Sequence, residues 1–300
     1  MKVVVTGAGG FVGERVALHL AAEGFAVAAC YRTHLPASLR ATQGIELLQG
    51  DLARDLPLPA AFDAVVHCAA DIPGLCPDPA QLTRSNVGGA ERLLGAMRAA
   101  GARAIVNLSS MSVYGKIAVP VVTEDLCPEQ PDPYGESKLA TERMIAALCA
   151  EAGLSALSIR LPGTVGRGSH HNFLSTVMGK ILSGEPIRAN NPEAPFNNIV
   201  YVGDLCVFIA DWLSRALAGA VASHAVTNLA AREPLAVRDV IGTLYRVSGK
   251  PPAVTFADEG KAPFLIDLTR ALSLGYRAPT VRDSLESFAR DCLQPAGVQA

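Results

Sequence analysis

Tyr134 and Lys138 stand four residues apart in Pro133-Tyr134-Gly135-Glu136-Ser137-Lys138, inside a stretch whose apolar spacing predicts a helix, so both side chains fall on one helix face. A phenol titrates near ~10 in water, and a neighbouring ammonium or the positive charge of an oxidised nicotinamide favours phenolate, which makes Tyr134 a usable acid and base near neutrality. Ser110, in Ser109-Ser110-Met111-Ser112-Val113-Tyr114-Gly115 at the end of an apolar run, offers a hydroxyl that can fix a reacting oxygen. The chemistry open to the three is proton transfer coupled to hydride transfer at a carbon–oxygen bond. In isolation a Y-x-x-x-K pattern also suits an exposed amphipathic helix, so its meaning depends on a hydride carrier being held nearby.

Such a carrier has a place at the other end of the sequence. The run Val3 to Thr6 leads into Gly7-Ala8-Gly9-Gly10-Phe11-Val12-Gly13, a G-x-x-G-x-x-G turn opening a predicted helix. Glycines let the chain turn tightly and let backbone approach a pyrophosphate, while the helix N-terminus presents free N–H groups and the positive end of its dipole. Following a strand and preceding a βαβ pattern, the turn predicts dinucleotide binding.

The elements that must position these residues follow from apolar periodicity. Lys2 to Thr6, Ala26 to Tyr31, Ile45 to Gln49, Ala64 to His67, Ala104 to Leu108 and Ala156 to Arg160 read as strands buried on both faces. Phe11 to Ala22, Leu82 to Ala100 and Pro133 to Ala152 read as helices between them. That alternation predicts an α/β fold with a Rossmann-type, doubly wound parallel sheet. After Pro162 the rhythm breaks: Gly, Pro and Asn accumulate around one helical stretch at Phe173 to Leu182, Ile199 to Val202 and Asp204 to Leu217 read as a return to the main sheet, and His224 to Ala230 as a further strand. The expected division is a dinucleotide-binding domain over 1–165 and 197–230 and a smaller C-terminal substrate lobe over 166–196 and 231–300. The lobe's Gly163 to Asn198 is expected to line the substrate cleft and to be more mobile than the sheet.

Composition excludes several classes. Of 300 residues half are hydrophobic and 18% charged, which argues against disorder, and a formal net charge of -2 gives no global attraction to nucleic acid or an anionic membrane. The apolar run Val3 to Val5 is too short for a signal peptide or a membrane span, so the expected location is the cytosol. Seven cysteines, none in a C-x-x-C, read as small buried hydrophobes, and His170-His171 has no acid at ligand spacing, so no metal is expected.

With these motifs in order, the sequence resembles the extended short-chain dehydrogenase/reductase superfamily and, within it, the NAD-dependent epimerase/dehydratase family. The resemblance covers nearly the whole chain: T-G-x-x-G-x-x-G (Thr6 to Gly13), G-D-L (Gly50 to Leu52), H-x-A-A (His67 to Ala70), N-V-x-G (Asn86 to Gly89), S-S-x-S-V-Y-G (Ser109 to Gly115), P-Y-x-x-S-K (Pro133 to Lys138) and R-L-P (Arg160 to Pro162). It implies Tyr134 as acid and base, Lys138 as its electrostatic partner and nicotinamide-ribose ligand, and Ser110 as the substrate-orienting hydroxyl. The implied cofactor contacts are Gly7, Gly10, Phe11, Val12, Gly13, Tyr31, Arg32, Asp51 (near the adenine), Leu52, Ala69, Tyr134, Lys138 and Pro162. Asn86 would tie helix to active-site loop. The resemblance further implies a homodimer through the helices containing Leu82 to Ala100 and Pro133 to Ala152.

Departures from the family pattern narrow the function. Dehydratases of the family carry Thr-Asp-Glu where this chain has Ser110-Met111-Ser112, and Met111 and Ser112 cannot shuttle protons for water elimination. Strand two ends Cys30-Tyr31-Arg32 without the acid that holds a ribose 2'-hydroxyl, so Arg32 is expected to pair with a 2'-phosphate and NADP to be preferred over NAD. Asn197 stands where sugar-nucleotide enzymes usually carry arginine, and Gly163 where the asparagine of R-x-x-N would be. Arg167, Arg188 or Lys261 would then serve a diphosphate, with Ser110 and Ser112 near the reacting sugar. The expected function is hydride transfer on a nucleotide sugar, as a 4-epimerase or 4-keto reductase. The rivals are an NADP-dependent reductase of a free small ketone or aldehyde and a non-catalytic dinucleotide sensor.

Overall fold

The structure, a computed structural model, describes residues 1–294 apart from 56, 75, 77, 171, 222–223 and 260–261. Lys2–Thr6 (β1), Ala26–Tyr31 (β2), Ile45–Gln49 (β3), Ala64–His67 (β4), Ala104–Ser110 (β5), Ser155–Leu161 (β6) and His224–Asn228 (β7) form a seven-stranded sheet in the order β7-β6-β5-β4-β1-β2-β3. The pairs β1–β2, β1–β4, β2–β3 and β4–β5 are parallel. Val3 to Val5, Ala64 to Val66 and Ala104 to Val106 are fully buried, which is why these strands read as unbroken apolar runs. Strand order reverses between β1 and β4, the switch point where open α/β sheets bind ligands beyond the carboxyl ends of their strands.

Phe11–Ala22 (α1), Ala37–Ala41 (α2), Pro79–Ala100 (α3) and Pro133–Ala152 (α4) accompany these strands. The α3 helix starts before the predicted Leu82 because the Asp78 carboxylate accepts from the Ala80 N–H at 3.0 Å and Pro79 takes the first helical position. Leu93, Met97 and Ile145 from α3 and α4 pack on Val4, Val65 and Ile105 of the sheet to make the core beneath the site.

The chain divides into two compact units. The first takes Met1–Lys116, Cys127–Arg160 and Cys206–Thr227; the second takes Ile117–Leu126, Leu161–Leu205 and the chain from Asn228 onward. The boundaries thus differ from those expected at 165, 197 and 230, for a backbone reason. Ile199–Tyr201 does not return to the main sheet but pairs in parallel with Gly163–Val165. Val121–Val122 pairs with Leu265–Ile266. The second unit contains Phe173–Ser183 (α5), the start of Val202–Leu217 (α6), Val237–Ser248 (α7), Thr269–Ser273 (α8) and Val281–Leu293 (α9). Its core joins Val177, Met178 and Ile181 to Ile241, Leu244, Leu285 and Phe288. Among the described residues no helix is long and apolar enough to cross a membrane.

Candidate active site

Beyond the carboxyl end of β1 lies a cavity of about 300 Å³ lined by Gly7, Gly10, Tyr31, Arg32, Asp51, Leu52 and Ala69, seven of the residues expected at the cofactor. Gly7 has φ +69°, and a Cβ there would sit 2.7 Å from the Ala69 nitrogen; a Cβ at Gly13 would strike the Gly7 carbonyl. The two glycines therefore let β1, the start of α1 and the segment after β4 meet without side chains between them. Gly10 caps α1 with no side chain bonded to its first-turn N–H groups. These donors, the cradle and the cavity fit a dinucleotide pyrophosphate. Phe11, Val12 and Gly13 lie in the first turn of α1 and do not line the cavity; Pro162 belongs to the second unit.

The cavity is also lined by Asp71, which no motif in the sequence singled out. Asp71 pairs with Arg32 at 3.1 Å: the end of β2 carries no acid, but the segment after β4 brings one to the guanidinium that was expected to meet a 2'-phosphate. Asn86 accepts from the Asp71 N–H (2.7 Å) and donates to the Asp71 carbonyl (3.0 Å) and the Ser137 hydroxyl (3.0 Å), and Ser137 donates to the Tyr134 carbonyl (2.8 Å). Asn86 so ties α3, the loop after β4 and the first turn of α4 together. Asp51 braces its own turn by accepting from the Ala53 N–H at 2.9 Å. His67, hydrogen-bonded through Nδ1 to the Thr6 hydroxyl at 2.8 Å, is pushed down to about 3 by burial and then by the Lys138 charge, so it is neutral and structural.

Ser110 closes β5, and Tyr134 and Lys138 enter on α4. Asp132 caps that helix by accepting from the Gly135 N–H at 2.7 Å, and a Cβ at Gly135 would overlap the Ser112 carbonyl, so the first turn of α4 rests directly on the Ser110 loop. Tyr134 and Ser110 are hydrogen-bonded through their side chains. Ser110 Oγ also accepts from the Ser112 N–H at 3.1 Å. The buried Lys138 donates from Nζ to the Leu108 carbonyl at 2.8 Å, with Nζ 5.6 Å from the centre of the Tyr134 ring.

The protein's own groups do not lower the phenol as the sequence reading expected. Burial first, then the Asp132 charge, push Tyr134 up to about 12 against the opposing Ser110 hydrogen bond. Tyr134 is therefore held protonated at neutral pH. Lys138 moves the other way: burial brings it down to about 8, opposed by the neighbouring Cys68 and Glu142. A lysine whose folded value lies below its unfolded value penalises folding fully while both states are protonated, and the penalty fades as pH rises from about 8 toward the ordinary lysine value. Relative to Lys138→Met, the wild type is thus expected to gain stability between pH ~8 and ~10, by urea unfolding at each pH, at up to ~1.4 kcal/mol per pH unit. A flat difference would show that Lys138 keeps an ordinary value.

A buried ionic frame ties β5 and α4, which carry these residues, to β6. Arg160 on β6 grips Glu142 on α4 with both Nε (3.1 Å) and Nη2 (2.8 Å), and its Nη1 donates to the Tyr114 hydroxyl (2.8 Å). Glu142 also accepts from Ser109 on β5. Glu142 lies one turn beyond Lys138, and Ser109 immediately precedes Ser110.

In the second unit, Arg188 is exposed and pairs with Glu259 at 3.5 Å, and Arg167 stands near Cys292. Asn197 is buried and occupied: its amide donates to the Ile266 carbonyl (2.9 Å) and accepts from the Ile266 N–H (3.0 Å), as a peptide group would. His171 and Lys261 lie outside the described residues. Among the described residues no three His, Cys, Asp or Glu converge as metal ligands.

Comparison with known proteins adds to this geometry. The pattern of the NAD dependent epimerase/dehydratase family matches residues 3–223. A UDP-glucose 4-epimerase of Streptomyces lividans is 30% identical over 291 residues, covering 88% of this chain and 87% of its own. A GDP-6-deoxy-D-mannose reductase of Pseudomonas aeruginosa is 30% identical over 264 residues, 82% of this chain and 80% of its own. Among solved structures, MoeE5 in complex with UDP-glucuronic acid and NAD is 29% identical and superposes with a TM-score of 0.79, covering 97% of this chain and 98% of that one.

Proposed function

The chain belongs to the NAD dependent epimerase/dehydratase family, and on that premise we propose that it is an NAD(P)-dependent 4-epimerase or 4-keto reductase of a nucleotide-linked sugar. The observation that carries this reading is the Tyr134–Ser110 hydrogen bond beside the buried Lys138, in the same unit as the glycine cradle. The dinucleotide, when bound, supplies the acceptor and donor of hydride for the substrate carbon. The substrate oxygen is held by the Ser110 and Tyr134 hydroxyls, and Tyr134 Oη gives or takes the proton as that carbon is reduced or oxidised. Because its surroundings keep Tyr134 protonated, it is poised as an acid toward a carbonyl, and its action as a base needs added positive charge beside it. Lys138, fixed on the Leu108 carbonyl, holds the nicotinamide ribose. Met111 and Ser112 leave the site without the acids of water elimination.

A nucleotide sugar is supported by the relatives, which include a UDP-glucose 4-epimerase and a protein bound to UDP-glucuronic acid. In this reading Arg167 and Arg188 serve its diphosphate and Ser112 lies near the sugar. A cytosolic homodimer through α3 and α4 completes the proposal. The test is to supply UDP-glucose without added cofactor and follow the C4 epimer by NMR, and in parallel to supply a 4-keto nucleotide sugar with NADH or NADPH and follow cofactor oxidation. One observation favours a second reading, reduction of a free small ketone: Asn197, standing where sugar-nucleotide enzymes of the family usually carry arginine, is spent on the Ile266 backbone. Turnover of small ketones with none of nucleotide sugars would select it.

For the cofactor, NAD is supported by MoeE5, and Arg32 is the residue we assign to a 2'-phosphate if NADP is used. Arg32→Ala is expected to weaken NADP binding about tenfold and to leave NAD nearly unchanged, as a charge-assisted contact worth ~1.5–3 kcal/mol is lost against a competing ion pair. Calorimetric titration of both dinucleotides decides, and equal losses would make Arg32 a bystander.

A further inference from the structure

We propose that Asp71 is a specificity-determining residue for the cofactor: by holding Arg32 it disfavours a dinucleotide that carries a 2'-phosphate. The inference rests on the dinucleotide reading of the cavity. Arg32 is the first residue after β2 and Asp71 follows β4, the two strands that flank β1, and both line the cavity beyond the β1 carboxyl end. Among the described lining residues Arg32 is the only lysine or arginine, so the cavity's one permanent cation is already matched by a carboxylate.

The two partners are not equivalent. The Asp71 side chain is 11% exposed and the Arg32 side chain 56%. Asp71 has its N–H and carbonyl both clamped by the Asn86 amide, and Asn86 is itself buried and bonded to Ser137. The acid is therefore the more buried partner, on a clamped backbone, and the guanidinium the more exposed one. An exposed ion pair is worth little in itself. Its importance lies in what a phosphate monoester would meet: carrying a charge of roughly -1.5 to -2, it must compete for Arg32 with a carboxylate whose backbone is clamped beside it. An uncharged ribose 2'-hydroxyl has no need of the guanidinium and so loses nothing to the ion pair. Asp71 so removes much of the NADP advantage that Arg32 alone would confer.

Dissociation constants for NAD+ and NADP+, measured by calorimetry on wild type, Asp71→Asn, Arg32→Ala and the double variant, test this. Asp71→Asn is expected to tighten NADP+ about tenfold and to leave NAD+ within about threefold, and in the Arg32→Ala background its effect on NADP+ should fall below about threefold. Because the Asn86 clamp uses only the Asp71 backbone, the fold should tolerate the change, and Asp71→Ser provides a second variant with the same expected ratio. Equal shifts for the two dinucleotides, or an unchanged NADP+ to NAD+ ratio in both variants, would overturn the proposal while leaving the oxidoreductase reading intact. Failure of wild type to bind either dinucleotide would overturn both.

Discussion

Tyr134→Phe is expected to reduce turnover about 100- to 10,000-fold while the dinucleotide Kd stays within a few fold, because the change deletes only the oxygen that moves the proton. The benzene ring remains to fill its place against the Ser110 loop, so the loss should fall on kcat. Lys138→Met should damage both kcat and dinucleotide affinity, since Nζ is fixed on the Leu108 carbonyl beside the phenol and is assigned to the nicotinamide ribose as well. Steady-state kinetics with calorimetric cofactor titration separates the two. A Tyr134→Phe enzyme that keeps more than about a tenth of its activity would remove Tyr134 from the chemistry.

Glu142→Ala is expected to cost about 3–5 kcal/mol of stability, since it leaves the buried Arg160 guanidinium without its bidentate partner and the Ser109 hydroxyl without its acceptor. Replacing both charges, as Glu142→Leu with Arg160→Met, should recover most of that loss, because an apolar pair of similar volume carries no desolvation penalty. Urea unfolding of the three proteins measures the differences. A cost under about 1 kcal/mol for Glu142→Ala would mean that solvent reaches Arg160 and that the pair is no frame for the site.

The parts of the site that were legible in the sequence are those written in short, local patterns. The glycine turn, the valine-rich strands and the Tyr134–Lys138 spacing each declare themselves within a few residues, and β1 to β4 fall where their apolar runs end. Contacts between distant segments were not legible. Arg32 and Asp71 are 39 residues apart, and Asn197 and Ile266 are 69 apart, so no periodicity relates either pair. Ile199–Tyr201 has the apolar content of a main-sheet strand, and only its pairing with Gly163–Val165 places it elsewhere. The direction of the Tyr134 shift depends on depth of burial and on Asp132, whereas the sequence displays the lysine and conceals the burial.

The interleaving of the two units along the chain bears on how the protein emerges from the ribosome. The strands β1 to β5 can pair as soon as Ser110 is out, and β6 can join them, but β6 then forms the border of the sheet until His224–Asn228 is made. Between those events the ribosome synthesises Leu161–Leu205, which belongs to the other unit. Through that interval Ser155–Leu161, whose five central residues are buried in the finished protein, exposes an apolar strand border open to pairing with other nascent chains. Pauses in translation between β6 and β7 are therefore expected to prolong exposure of that border.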